Sequence, residues 1–278
     1  MDRQLYWHEV LFEQQKRSPQ LPLWTRALIA NLAWDYCHPI LDCVATWEKR
    51  PPLGVYSGTG YGDGSGLNGS VRLLRRCGWG LVVYDGTGIV ASVYGPLPGW
   101  RQEVPDAEAF AFWFYLSHLD AVGHIEFVTG SKFVKDTFER GPAFSSDSWF
   151  VSADIWRQIW HKIGDHGGNC VRVRWVLAHT SASAIDDGRI TWLDRDLNKE
   201  ADVLARRGAN LHPQDAAIVK RYDRSSKVVC MVAKYIAWRL ATTFSSEQWK
   251  AVAPRRMRIN LQVFASRRGS SRRNIFGQ

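Results

Sequence analysis

Residues 128–136 read VTGSKFVKD. The apolar run leading into them, HIEFVTG (124–130), has the composition of a short strand. The run leaving them, SKFVKDTFERG (131–141), has the spacing of a helix. A strand that hands over to a helix across Thr129-Gly130-Ser131 is a junction of an alternating α/β chain. The neighbouring segments therefore decide the fold class.

Upstream, VYSGTGYGD (55–63) is extended and glycine-rich. CGWGLVVYD and IVASVYG are strand-like, and the DGTG between them is turn chemistry, so the two predict a hairpin. DAEAFAFWFYLSHL predicts a strong helix, with Asp106 placed to cap it. Downstream, DIWRQIWHKIG carries Ile155, Ile159 and Ile163 at helical spacing. CVRVRWVLAH alternates Val171, Val173 and Trp175 against Arg172 and Arg174, as a half-buried strand does. A polar loop and a last helix, LNKEADVLARRGA, complete residues 55–209. The order strand-strand-strand-helix-strand-helix-helix-strand-helix predicts an α/β fold, a five-stranded mixed sheet with helices on its faces.

The flanks read differently. Residues 1–52 predict a helical leader or linker, with WTRALIANLAWDYCHPILDCVATW as its clearest helix, ending at the two prolines of EKRPPLG. Residues 53–210 are the sheet domain and 211–247 a helical extension, broken near RSSK. Residues 248–278 are a basic tail expected to be disordered. That tail holds eight arginines and lysines and no acid, so it carries nearly all of the formal net charge of +9. Such a charge suits phosphate contacts. Five scattered cysteines without a CxxC pair argue against a disulfide framework and a structural zinc site. No secretory pattern and no apolar run of spanning length occur, which predicts an intracellular protein, nuclear or cytoplasmic, without a membrane partner. Oligomeric state is left open.

Hydrolysis of a phosphodiester by two divalent ions about 4 Å apart needs several carboxylates brought together from different elements. Three acids occur in order: Asp63 in YGDGSG, Glu108 in DAEAFAF and Asp202 in NKEADVLARRGA. Asn198 lies one helical turn before Asp202, and His179 ends the last strand in VLAHTSAS. Each has a plainer reading. Asp63 suits a turn, Glu108 complements a helix dipole, Asp202 and Asn198 suit a solvated helix face, and His179 suits a loop.

Taken in order, DGSG, GWG, AEAFAF, TGS, the AH after the last strand and N-K-E-A-D-V-L-A resemble the ribonuclease H type 1 family, whose domains also occur in retroelement polyproteins. The resemblance covers about Val55 to Ala209. It implies the RNase H-like five-stranded mixed sheet with helices on both faces and endonucleolytic hydrolysis of the RNA strand of RNA–DNA hybrids. It also implies Mg²⁺, or Mn²⁺ in its place, as the cofactor. It assigns Asp63, Glu108 and Asp202 as catalytic metal ligands, His179 as the mobile proton-transfer or product-release residue, and Asn198 as a substrate contact. Gly130 stands where the family has a metal-binding aspartate, and Gly62 where a threonine usually precedes the first aspartate. The loop acids Asp186, Asp187, Asp194 and Asp196 are expected to be solvated, unless one of them, such as Asp187 or Asp194, approaches the site as a substitute ligand. Two functions follow: a hybrid-cleaving enzyme weakened at Gly130, or a hybrid-binding pseudoenzyme or retroelement remnant without catalysis. Gly130→Asp is expected to restore cleavage.

Overall fold

The computed structural model describes residues 3–17, 21–29, 36–120, 125–167, 171–178 and 183–243. His179 and the basic tail lie outside the described residues. Along the chain run α1 (Arg3–Arg17), α2 (Pro22–Arg26), β1 (Thr46–Lys49), β2 (Thr59–Leu67), β3 (Arg76–Tyr84), β4 (Ile89–Pro96) and α3 (Val104–Ser117). Then follow β5 (Ile125–Thr129), α4 (Lys132–Ser145), α5 (Ala153–Asp165), β6 (Val171–Trp175), α6 (Ser183–Asp186), α7 (Trp192–Asn210) and α8 (Ala216–Thr243). The chain divides into two units, residues 33–219 and residues 1–32 with 220–278.

The larger unit is built on a mixed sheet of spatial order β1-β4-β3-β2-β5-β6. The four strands β1, β4, β3 and β2 pair antiparallel, and β5 and β6 join parallel to β2. Period-two alternation sends Trp79, Leu81 and Val83 to one face, where they meet Phe112, Trp156 and Ile159 of α3 and α5. Val82 and Val128 face the other way, onto Leu197, Ala201 and Leu204 of α7. This is the expected α/β architecture, a mixed sheet with helices on both faces, with one strand more than the five expected.

The sixth strand, β1, falls in the segment read as helical. Thr46 and Trp47 suit a strand better than a helix, and pairing with β4 satisfies that strand's outer edge. Trp47 packs against Phe114 at a ring-centroid distance of 5.8 Å.

DGSG is also not a turn, because β2 continues through Asp63–Gly66 to Leu67. The glycines here answer to space. A Cβ on Gly64 would lie 2.8 Å from the backbone nitrogen of Glu108, so α3 rests almost directly on the strand. On the opposite face, a Cβ on Gly80 would lie 2.4 Å from the backbone nitrogen of Ala205, so α7 does the same.

Other boundaries shift for local reasons. Helix α3 starts at Val104 with proline in its first turn, so Asp106 is inside the helix rather than at its cap. Its buried carboxylate accepts from Ser152 Oγ at 2.6 Å and pairs with Arg101 at 2.7 Å. Helix α7 begins five residues before the expected LNKEAD start, because Thr191 caps it by accepting from the Asp194 amide at 3.1 Å. Helix α8 runs unbroken through RSSK, a stretch with neither glycine nor proline.

In the smaller unit, Leu11 and Trp24 are buried with Val232 and Tyr235, and Tyr235 donates to Gln15 at 3.1 Å. No helix among the described residues is long and apolar enough to cross a membrane.

Candidate nucleic-acid site

The parallel register Gly60–Phe127, Tyr61–Val128, Gly62–Thr129 brings Asp63 of β2 alongside the C-terminal end of β5. Gly130 and Ser131 follow there. Glu108, one turn into α3, reaches the same edge because Gly64 lets the helix close on the strand.

Ser131 donates its hydroxyl to Glu108 Oε2 at 2.5 Å, and its oxygen accepts from the Val134 amide at 3.3 Å, capping α4. Asp63 Oδ1 accepts from the Gly64 amide at 2.9 Å. Burial pushes the Glu108 carboxyl up to about 7. The Ser131 hydrogen bond opposes that shift and the nearby Asp63 charge reinforces it. Asp63 and Glu108 thus act on one another as like charges.

Asp202 approaches from the opposite face. Asp63 pairs across the sheet with Gly80, and Gly80 rests on α7 at Ala201 and Ala205, the turn that carries Asp202. The Asp202 carboxylate takes Arg206, one turn later, as its ion-pair partner at 2.5 Å. Asn198 is neither at a helix start nor on the surface. It is only 6% exposed, and its Oδ1 is buried without a hydrogen-bond partner among the described residues.

A Cβ placed on Gly130 would lie 2.9 Å from the Ala178 methyl and 3.5 and 3.6 Å from Asn198 Nδ2 and Oδ1. The edge therefore has two halves. One is acidic, formed by Asp63, Glu108 and Ser131. The other is neutral, formed by Gly130, Ala178 and Asn198. Ser131 lies within TGS and Ala178 within AH, yet neither carried a signal of its own as a site residue.

The expected loop acids separate. Asp187 pairs with Arg189 at 2.8 Å on the surface. Asp194, expected to be solvated, is 5% exposed and held by both terminal nitrogens of Arg174 at 2.8 Å and by the Tyr61 hydroxyl at 3.0 Å. Neither is free to replace an acid at position 130.

Divalent magnesium or manganese would require Asp63, Glu108 and Asp202 as its carboxylates. Among the described residues, no three acidic, histidine or cysteine side chains stand close enough to hold a metal ion. Glu108 is bonded to Ser131, Asp202 to Arg206, and position 130 offers no ligand. The donor set does not fit a two-metal site.

The sequence matches no protein-family model and no curated protein. Among solved structures, the chain is similar to the RNase H domain of PFV, at 18% identity and a TM-score of 0.43, covering 57% of this chain and 98% of that one. It is similar to LC9-RNase H1, a type 1 RNase H with the type 2 active-site motif, at 16% identity and a TM-score of 0.42, covering 62% and 86%. A third is LC11-RNase H1 in complex with RNA/DNA hybrid, at 13% identity and a TM-score of 0.40, covering 55% and 96%.

Proposed function

We propose that the sheet domain is an RNase H-type nucleic-acid-binding module that recognises RNA–DNA hybrids and has lost, or nearly lost, hydrolysis of the RNA strand. Support for the nucleic-acid part comes from the six motifs and the elements on which they fall. DGSG lies on β2, GWG on β3, AEAFAF on α3, TGS across the end of β5, the Ala178 of AH beyond β6 and the Asn198–Asp202 pair on α7.

The observation that carries the loss of hydrolysis is the neutral half of the edge. Where a third carboxylate would stand, Gly130 faces a methyl group and an uncharged amide. Positioned charge is most of what such a site contributes to phosphodiester hydrolysis. A barrier higher by about 4 kcal/mol is already roughly a thousandfold in rate. The enzymatic reading would require a substitute acid, and Asp187 and Asp194 are both committed to arginines.

The test uses the full chain with a labelled RNA–DNA hybrid, duplex DNA and duplex RNA of one sequence. Anisotropy is read in EDTA and in Mg²⁺, and cleavage in Mg²⁺ and Mn²⁺, for wild type and Asp63→Asn. Hybrid binding should be preferred and should change by less than about threefold, under 1 kcal/mol, between EDTA and Mg²⁺. Cleavage should not exceed that of Asp63→Asn. Absence of hybrid binding would overturn the nucleic-acid reading. Wild-type cleavage abolished by Asp63→Asn would overturn the loss of hydrolysis.

A further inference from the structure

Gly130 is not demanded by its backbone. Its φ lies outside the left-handed region that other glycines of the chain occupy, such as Gly141 at 78° and Gly188 at 67°. What excludes a side chain is space, and among the described residues the only atom closer than 3.0 Å to its Cβ position is the Ala178 methyl. A methyl has no rotamer through which to yield, so it moves only with its backbone.

The backbone on both sides is tied. The Val176 amide donates to Thr129 O at 3.0 Å, and the Trp175 indole nitrogen donates to Gly130 O at 3.0 Å. The Ser131 amide donates to Thr129 Oγ1 at 3.1 Å. A Cβ at position 130 therefore pushes on a methyl whose chain is anchored two residues earlier, at Val176.

We infer that Ala178 is the residue that holds position 130 closed to a carboxylate, so that the missing cation ligand at this position is a property of the pair Gly130 and Ala178 and not of Gly130 alone. The other wall, Asn198, is permissive. The Asn198 amide is 3.5 Å from the Cβ position through Nδ2, a donor suited to a carboxylate. Removing the Ala178 methyl clears the one contact among the described residues that must shift. The inference rests on the proposed RNase H-type reading only in taking position 130 as the place where a cation ligand belongs.

Two measurements on the full chain, made without nucleic acid, test it. The steric part uses Gly130→Ala, Ala178→Gly and the double variant in thermal unfolding. Gly130→Ala should lower Tm by about 3 °C or more, and adding Ala178→Gly should restore at least half of that loss. A Gly130→Ala protein as stable as wild type, or a loss that Ala178→Gly does not repair, overturns the inference.

The ligand part titrates Mn²⁺ by calorimetry into wild type, Gly130→Asp and Gly130→Asp with Ala178→Gly. Only the double variant should gain binding, by about tenfold or more over wild type. Equal gain from Gly130→Asp alone, or no gain from the double variant, overturns it. Because hybrid binding is not read in either measurement, failure of the nucleic-acid reading remains distinguishable from failure here.

Discussion

Asp194 and Glu108 are both acids drawn out of water within the same sheet domain, and their surroundings differ in kind. Burial alone would push the Asp194 carboxyl up. The two Arg174 hydrogen bonds, the Thr191 side chain and the guanidinium charge outweigh it, and the Tyr61 hydroxyl adds to them, so the group is held below its ordinary range. Among the described residues Glu108 has one donor, Ser131, and a like-charged neighbour, Asp63, and is pushed up to about 7. The first arrangement is complete: it ties β2, β6 and α7 together and asks for nothing more. The second is incomplete as a structural device. A carboxyl kept expensive to ionise is what a fold retains for a ligand, or inherits from one.

The largest expected effect removes the complete arrangement. Arg174→Ala leaves Asp194 buried without its countercharge, which costs about 3–5 kcal/mol. Arg174→Lys restores the charge but not the two-pronged geometry, so it should recover only part of that loss. Urea unfolding at pH 7 measures both. A loss under about 1 kcal/mol for Arg174→Ala would place this pair with ordinary surface ion pairs and dissolve the contrast with Glu108.

The sequence shows why the site was easier to find than the lock. The acids Asp63, Glu108 and Asp202 stood out through the motifs around them. Asp194 looked like one of four loop acids. Its partner Arg174 looked like the solvent-facing half of an alternating strand. Period two assigns faces correctly only where a strand is flanked by others. β6 is an edge strand, and at its end Trp175 is 39% exposed while Arg174 turns to Asp194. In the same way, the glycines of β2 read as a weakness of the strand until α3 is seen resting on them. β1 was missed because four residues carry too little pattern to outweigh an apolar neighbourhood. The Ala178 wall was illegible because it depends on two residues 48 positions apart lying within 3 Å of one another's side-chain positions.

The next effect has the opposite sign. Between the ordinary carboxyl range near 4.5 and about 7, folded Glu108 binds a proton that the unfolded chain has released. Stability from this group is therefore greatest below pH 4.5 and is lost as pH rises through about 7. Glu108→Gln keeps an acceptor for Ser131 without the charge. It should match wild type near pH 4.5 and exceed it above pH 7 by about 1–3 kcal/mol, the half-buried position reducing the full shift. Thermal unfolding from pH 4.5 to 8.5 reads this directly. Parallel curves for the two proteins would mean that Glu108 is paired as well as Asp194.

The smallest effect probes how complete the lock is. Tyr61→Phe removes one of the donors to Asp194 and changes little else in shape. Asp194 Oδ1 keeps Arg174 at 2.8 Å, so no acceptor is orphaned, and the cost at pH 7 should be about 1 kcal/mol. The pH dependence follows from the sign of the shift. A carboxyl held below its ordinary range adds stability above pH 4 that is lost as pH falls through its folded value. Removing one donor brings that folded value closer to the unfolded one, so the variant and wild type should converge as Asp194 is protonated. In the Arg174→Ala background the Tyr61 hydroxyl becomes the main remaining side-chain donor to that carboxylate, beside the Thr191 hydroxyl. Tyr61→Phe should then cost more than it does alone, a coupling that urea midpoints of the four proteins would resolve. Equal costs in both backgrounds would mean that Tyr61 and Arg174 act on Asp194 independently, and that the lock is a sum of contacts rather than a unit.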